Sequence, residues 1–158
     1  MIIAVIGGES SSHDEETAAY ETGLEIARRG HVLVCGGRQG VMREACRGAR
    51  EAGGHTIGIL PGDDRSGMNE FVEFPIVTGM GYARNTIIAR TADALVAIGG
   101  RYGTLSEIAF AFLSGKPVAG IGTWTLALPS GQEAPLARCR NAREAIDYCE
   151  RASAAARE

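Results

Sequence analysis

The segment 99–107 has the clearest chemical potential in this sequence. It reads GGRYGTLSE, follows the apolar run 94–98, and opens at Thr104 a stretch whose apolar residues recur with helical spacing. A strand, a glycine turn and a helix in this order let a ligand approach the backbone closely. They also present unpaired N–H groups and the positive end of a helix dipole. The segment therefore predicts a site for an anion, with phosphate as the simplest occupant.

Glu107 in this segment has two interpretations, and the sequence leaves both open. Thr104 and Glu107 fit the capping box T-x-x-E, in which the glutamate accepts a hydrogen bond from the N–H of the cap residue. Alternatively, the carboxylate faces the ligand, where it polarises a water or stabilises positive charge on a sugar ring. Spacing alone favours the cap. Glutamine keeps the capping ability without the charge, so full activity of a Glu107→Gln variant would exclude an acid–base role.

Similar loops follow three other predicted strands. Gly7 and Gly8 follow the first strand, the loop 36–40 (GGRQG) follows the second, and the loop 79–84 follows a short fourth strand. In a parallel sheet the carboxyl ends of the strands lie at one edge, which is where ligands bind. We therefore expect the four loops to converge on one site.

Three of these loops carry an arginine, namely Arg38, Arg84 and Arg101. The planar guanidinium group matches the oxygens of a phosphate. For Arg38 and Arg101 the alternative is a surface pair with a nearby acid. Arg84 lies at a predicted helix start, where a cation is otherwise unfavourable. The loop before the first helix is not suited to a phosphate in this way, because that helix begins with the acidic residues 14–16, which would repel the anion.

The elements that must position these loops alternate between strands and helices. Strands are predicted at 2–6, 32–35, 56–60, 74–78, 94–98 and 117–121, and helices at about 13–29, 41–52, 84–91, 142–156 and onward from Thr104. The pattern predicts an α/β fold: one Rossmann-like, doubly wound domain over residues 1–158. Its sheet is mainly parallel with about six strands and helices on both faces. Asp93 and Lys116 precede strands, so we expect structural roles for them at the opposite edge.

Composition narrows the classes of function. The net charge of −3 gives no reason to expect nucleic-acid binding. The four cysteines show no C-x-x-C spacing and the three histidines are scattered, so no metal site is predicted and the thiols are expected to be reduced. No signal peptide and no apolar run of about 20 residues is visible. We therefore expect a cytoplasmic protein with no membrane partner.

The glycine loops resemble those of the LOG-like family, cytokinin-activating phosphoribohydrolases once labelled lysine decarboxylases. Gly103, Thr104 and Glu107 match the G, T and E of the family motif PGGxGTxxE. Arg84 matches an arginine nine residues before the aspartate that opens the next strand. The segment 36–42 is similar to the family's first glycine loop. Together these matches identify the superfamily.

Three positions depart from the motif of the hydrolases. The segment Gly99-Gly100-Arg101 stands where the family has Pro-Gly-Gly, Asn85 replaces a lysine, and Tyr82 replaces a histidine. With these changes the chain is most similar to the divergent branch that includes the molybdenum cofactor carrier proteins. Arg101 occupies space that the hydrolase motif keeps open with glycine.

The resemblance implies a Rossmann-like protein, a homodimer or higher homo-oligomer, that holds a small phosphorylated, nucleotide-like ligand by its phosphate. No cofactor is required, and a nucleotide or the molybdenum cofactor is the expected bound molecule. In the hydrolase branch it implies that Glu107 and Arg84 act on the N-glycosidic bond of a nucleoside 5′-monophosphate. Lysine decarboxylation is excluded independently, because it needs a lysine Schiff base with pyridoxal phosphate and the single lysine, Lys116, lies at the wrong edge of the sheet.

The sequence leaves three functions open. The three departures from the hydrolase motif favour a binding or carrier protein. The alternatives are a phosphoribohydrolase and a sensor domain whose ligand is a nucleotide signal. The predicted catalytic residues, for the hydrolase, are Arg84 and Glu107. The predicted ligand-binding residues are Gly7, Gly8, Gly36, Gly37, Arg38, Gly40, Asn85, Gly99, Gly100, Arg101, Gly103 and Thr104.

Overall fold

Strands and helices alternate along the chain, as the hydrophobic pattern predicts. The computed structural model describes residues 1–156. Its strands are β1 (Ile2–Gly7), β2 (Val32–Cys35), β3 (Thr56–Leu60), β4 (Phe74–Val77), β5 (Ala94–Ile98), β6 (Val118–Ile121) and β7 (Leu136–Arg138). All pair in parallel in one sheet of order β4-β3-β2-β1-β5-β6-β7. The carboxyl ends of β1, β2 and β5 therefore lie side by side at the centre of one edge.

Five helices cover the two faces of this sheet. They are α1 (His13–Arg28), α2 (Val41–Glu51), α3 (Asn85–Thr91), α4 (Tyr102–Leu113) and α5 (Ala142–Ala155), and a 3-10 turn (Gly81–Arg84) leads directly into α3. The capping box predicted at the start of α1 is present, because Ser12 and Glu15 exchange side-chain hydrogen bonds with each other's backbone N–H. Among residues 1–156, no helix is long and apolar enough to cross a membrane.

Two apolar layers hold the helices to the sheet. Alternate residues of β1 point to opposite faces: Ile3 and Val5 pack with α1, α2 and α5, whereas Ala4 and Ile6 pack with α3 and α4. These four side chains are at most 1% exposed. Strands that are buried on both faces are typical of parallel sheets, and they explain the nearly continuous apolar runs in the sequence.

Helices α1 and α2 approach each other more closely than side chains allow. A Cβ atom at Gly23 would collide with the carbonyl oxygen of Ala45, and one at Gly48 with the carbonyl oxygen of Tyr20. Each glycine therefore removes the side chain that would separate the two backbones. The start of α2 is also joined to the loop that precedes α1, because the Val41 N–H donates to the Gly8 carbonyl at 3.0 Å.

The predicted α/β, Rossmann-like fold is confirmed, and the sheet has one more strand than the six predicted. The extra strand is β7, which pairs with β6 after the irregular segment 123–135. Asp93 has the structural role predicted for it, because its carboxylate accepts a hydrogen bond from the Ile2 N–H at 2.8 Å at the amino edge of the sheet. Cys35 and Cys46 are free, buried thiols whose sulfur atoms lie 3.4 Å apart.

Candidate functional site

A cavity of about 220 Å³ opens at the carboxyl edge of the sheet. Four segments form its wall: the loop after β1, the loop after β2 with the first turn of α2, the 3-10 turn with the start of α3, and the loop after β5 with the start of α4. The predicted convergence of the four loops is therefore confirmed. The lining residues are Gly7, Gly8, Glu9, Ser10, Arg38, Met42, Tyr82, Arg84, Asn85, Arg101, Gly103, Thr104 and Glu107.

Arg84 lies in the wall of this cavity with its side chain only 9% exposed. Its Nη1 atom donates a short hydrogen bond to the Asn85 side chain and lies 3.9 Å from Glu107 Oε1, outside hydrogen-bond range. Its buried Nε atom has no hydrogen-bond partner among residues 1–156. Burial lowers the pKa of the guanidinium, and the nearby carboxyl of Glu107 opposes this effect. The protein thus surrounds a buried cation without completing its hydrogen bonds.

Asn85 connects the two helices whose N-termini meet at the cavity. Its amide nitrogen donates to Ser106 Oγ at 3.0 Å, and Ser106 Oγ donates to the Gly103 carbonyl at 2.6 Å. Its amide oxygen accepts the hydrogen bond from Arg84. Asn85 therefore fixes the position of Arg84 relative to the first turn of α4, a role that a lysine at this position could not fill in the same way because it has no acceptor.

Glu107 does not form the capping box that its spacing favours. Helix α4 has Arg101 as its N-cap residue, so Thr104 and Glu107 both lie within the helix, and no side chain caps its start. The capping interpretation is therefore wrong. The Glu107 side chain is only 7% exposed and lines the cavity beside Arg84.

The burial of Glu107 changes its charge. Burial raises the pKa of this carboxyl from 4.5 to about 8, although the positive charge of Arg84 acts to lower it. The carboxyl therefore holds its proton near neutral pH, and the charge of Arg84 is left uncompensated. The floor of the cavity consequently carries a net positive charge together with a carboxylic acid that can donate a hydrogen bond.

The two other arginines at the cavity differ from each other. Arg38 Nε lies 2.5 Å from Glu9 Oε1, so the alternative of a surface pair is correct for Arg38. Arg101 is exposed, and no carboxylate among residues 1–156 lies within 4.0 Å of its guanidinium. Its backbone carbonyl accepts a hydrogen bond from Trp124 Nε1 at 3.2 Å. Arg101 is therefore a second unpaired cation, at the mouth of the cavity.

Five of the predicted glycines do not line the cavity. They instead allow close contacts within the protein. A Cβ at Gly36 would lie 2.5 Å from Arg84 Nη2, and one at Gly37 would lie 2.6 Å from Leu60 Cδ2. Cβ atoms at the other three positions would collide with neighbouring groups: the Gly8 carbonyl for Gly40, the Glu15 carboxylate for Gly99 and the Thr104 hydroxyl for Gly100. These glycines therefore allow the loops that form the cavity to pack closely against neighbouring groups.

The other nine predicted residues do line the cavity, and four lining residues were not predicted. Glu9 and Ser10 directly follow the predicted Gly7-Gly8 turn, and Met42 lies in the first turn of α2. Tyr82 is two residues before Arg84 on the same 3-10 turn. Proximity in sequence to a predicted residue was the available signal for Glu9, Ser10 and Tyr82. No pattern in the sequence distinguishes Met42 from a core methionine.

The fold and the position of this site define a Rossmann-like α/β protein. The chain belongs to the SLOG cluster4 family, whose model matches residues 1–151.

Two solved structures resemble the chain over nearly its whole length. The molybdenum cofactor binding protein of Rippkaea orientalis is 36% identical with a TM-score of 0.87, and 95% of each chain is covered. The molybdenum cofactor carrier protein of Chlamydomonas reinhardtii is 38% identical with a TM-score of 0.85, over 97% of this chain and 98% of that one.

Sequence relatives include the LOG-type enzymes. The cytokinin riboside 5′-monophosphate phosphoribohydrolase of Mycobacterium tuberculosis is 33% identical over 77% of this chain and 71% of its own length. The chain spans 42–49% of the length of the plant phosphoribohydrolases that it matches. The predicted resemblance to the LOG-like family and to the molybdenum cofactor carriers is therefore confirmed.

Proposed function

We propose that this protein binds a small phosphorylated, nucleotide-like ligand in the cavity at the carboxyl edge of the sheet. The observation that carries the proposal is the buried guanidinium of Arg84, which lines the cavity and whose Nε atom has no partner among residues 1–156. A buried donor without an acceptor costs about 1–3 kcal/mol. An anionic oxygen of a ligand would gain a charge-assisted hydrogen bond from the part of this guanidinium that lines the cavity, and a small shift of the side chain that brought Nε to the same oxygen would remove that cost.

The electrostatics of the cavity support an anion in particular. Glu9 and Arg38 neutralise each other at the rim, and Glu107 is protonated near neutral pH. The charges of Arg84 and Arg101 therefore remain for a ligand. The backbone N–H groups of the first turn of α4 add to this attraction, because Gly103 and Thr104 lie at its N-terminus and line the cavity.

The similar proteins support a proposal for the class of ligand. One group is named for carrying or binding the molybdenum cofactor, and the other for acting on a nucleoside 5′-monophosphate. A nucleotide and a molybdopterin-type cofactor share a phosphate group and a planar heterocycle. We therefore propose that these two features are what this chain recognises, either as a carrier or as a sensor of such a molecule.

A second candidate, a phosphoribohydrolase, is favoured by the state of Glu107. A buried carboxyl that is free of a capping role, with a pKa near neutrality, suits acid–base chemistry. In this candidate water adds a hydroxyl group to C1′ as the C1′–N bond breaks, and the departing base takes up a proton. In its ionised form, which is the minor form at neutral pH, Glu107 would orient the water or stabilise the developing oxocarbenium ion, and Arg84 would contact the phosphate or the base.

An assay with AMP separates the two candidates. We expect saturable binding of AMP that is strongly weakened in Arg84→Met, with no release of adenine or ribose 5-phosphate. Glu133→Gln is the matched control, because the Glu133 side chain is 73% exposed and is not among the residues that line the cavity. Release of adenine that persists in Glu133→Gln but disappears in both Glu107→Gln and Glu107→Ala would instead establish the hydrolase and contradict a pure binding function.

A further inference from the structure

The size of the cavity requires part of a nucleotide-sized ligand to lie at its mouth. Its volume is about 220 Å³, below the range of about 300–1,000 Å³ that is usual for pockets that enclose such ligands. The unpaired donor of Arg84 is buried at the floor, so the anionic group belongs there. The rest of the ligand therefore extends to the rim, where the side chains are exposed.

Tyr82 is the aromatic residue of this rim. Its side chain lines the cavity and yet is 86% exposed, which is unusual for a large ring with an apolar face. The backbone just before it is held by two hydrogen bonds to the segment after β3. The Gly79 N–H donates to the Gly62 carbonyl at 2.8 Å. The Gly81 N–H donates to the Pro61 carbonyl at 2.9 Å. An exposed tyrosine ring beside a cavity offers a flat contact surface, and only two side-chain torsions have to be ordered when a ligand binds.

Arg101 offers a second flat group at the same mouth. It lines the cavity from the start of α4, whereas Tyr82 lines it from the 3-10 turn before α3. The Arg101 guanidinium has no carboxylate partner among residues 1–156, so it is available to a ligand. Heterocyclic bases stack both on aromatic rings and on guanidinium planes.

We propose that Tyr82, with Arg101, forms the subsite for the planar heterocycle of the ligand. The phosphate end lies on Arg84, and the ring system lies against the phenol ring of Tyr82 at the mouth. This assignment rests on the proposed binding function and makes it more specific: affinity for the ring is separable from affinity for the phosphate. Stacking on a tyrosine ring depends little on which heterocycle is bound, so the subsite selects flat heterocycles as a class.

The test compares a ligand with a ring and the same ligand without it. AMP and ribose 5-phosphate are titrated calorimetrically into the wild-type protein, Tyr82→Ser and the matched variant Tyr82→Phe. We expect Tyr82→Ser to weaken AMP binding about tenfold, as loss of one stacking contact does, while ribose 5-phosphate changes less than about twofold. Tyr82→Phe retains the ring and should bind both ligands within about twofold of the wild type.

Different failures have different meanings. If Tyr82→Ser leaves AMP binding unchanged, or weakens AMP and ribose 5-phosphate equally, the subsite is wrong and the proposed binding function stands. If the wild-type protein binds ribose 5-phosphate but not AMP, the subsite is also wrong. If it binds neither, the proposed function and the subsite both fail. If light scattering shows that Tyr82→Ser differs from the wild type in molar mass, and AMP binding is not selectively weakened, Tyr82 belongs to a contact between protein chains and the proposal is contradicted.

Discussion

Two arginines at opposite ends of the fold show the difference between a completed and an incomplete site. Arg29, at the end of α1, has a side chain that is 22% exposed, and it contacts Glu25, Asp147 and Glu150 at 2.9, 2.6 and 2.9 Å. Burial would lower its pKa, but hydrogen bonds to the three carboxylates raise the pKa above its ordinary value. Arg84 is more deeply buried, at 9% exposure, and has one carboxyl 3.9 Å away.

The contrast shows that burial alone does not distinguish a structural arginine from a functional one. The protein itself supplies every partner that Arg29 needs to join α1 to α5. Around Arg84 it supplies an amide oxygen and a protonated acid, and it leaves a donor unpaired beside a cavity. A cation that is costly to bury and incompletely paired is therefore expected to contribute more to binding than to folding.

Exchange of each arginine for methionine tests this contrast and should give the largest effects. Arg84→Met removes the only charge at the cavity floor, so we expect AMP to bind about 100-fold more weakly, a loss typical of truncating a buried charged partner. The melting temperature should change little, because the unpaired donor is removed together with the charge. Calorimetric titration and thermal melts measure the two quantities.

Arg29→Met is the reciprocal variant. It leaves three carboxylates without their shared cation, and we expect the free energy of unfolding to fall by about 1–2 kcal/mol, since the network is only partly buried. AMP affinity should be unchanged. An Arg84→Met protein that unfolds as readily as Arg29→Met, with AMP affinity intact, would show that the two arginines play the same structural role.

The carboxyls beside the two arginines should differ in their response to pH. The pKa of Glu107 is raised from 4.5 in the unfolded chain to about 8 in the folded protein, so the folded state binds the extra proton between these values. Its contribution to stability is present at low pH and is lost as the pH rises towards 8. As the pH rises from about 5 to about 8, we therefore expect the melting temperature of Glu107→Gln to increase relative to that of the wild type.

Glu150→Gln is the control for this comparison. Hydrogen bonds to His31 and Arg29 lower the pKa of Glu150, so its contribution to stability is present at neutral pH and is lost in acid. Glutamine at 150 should therefore destabilise the protein near pH 7, with an effect that shrinks as the pH falls. A constant difference between Glu107→Gln and wild type across the range would mean that Glu107 is ionised like Glu150.

The smallest effect is expected at the rim. Glu9 neutralises Arg38 in an exposed pair, and such pairs contribute about 0–1 kcal/mol. Glu9→Gln should release Arg38 and strengthen AMP binding about two- to threefold at low salt, with less gain at high salt. Glu133→Gln, which removes a charge that does not line the cavity, should not change affinity. Weaker binding by Glu9→Gln would mean that Glu9 itself contacts the ligand.

The strand and helix pattern was predictable because buried parallel strands and capped helices leave strong signals, as in the apolar run of β5 and the capping box of Ser12. Convergence of the loops followed from the parallel sheet. Strand β7 could not be predicted, because three residues at the edge of a sheet are too few to show an alternation of apolar and polar side chains. The predicted cytoplasmic location and homodimer stay predictions.

The details of the site depended on packing that no local pattern encodes. Thr104-x-x-Glu107 fits a capping box, but the turn at Gly99 and Gly100 ends early enough for Tyr102 and Gly103 to join the helix, so the carboxyl lies in the cavity instead. Similarly, Gly36 looks like a ligand-facing glycine in sequence. In the fold it makes room for the guanidinium of Arg84.

The direct backbone contact between α1 and α2 has a mechanical consequence. At Gly23 and Gly48 there is no side-chain layer that could rearrange to let one helix slide over the other. The two loops at their N-termini are also joined to each other, by the Val41–Gly8 hydrogen bond and the Arg38–Glu9 pair, so we expect them to move together. A ligand that enters the cavity is therefore expected to meet these two loops as one preformed half of the wall.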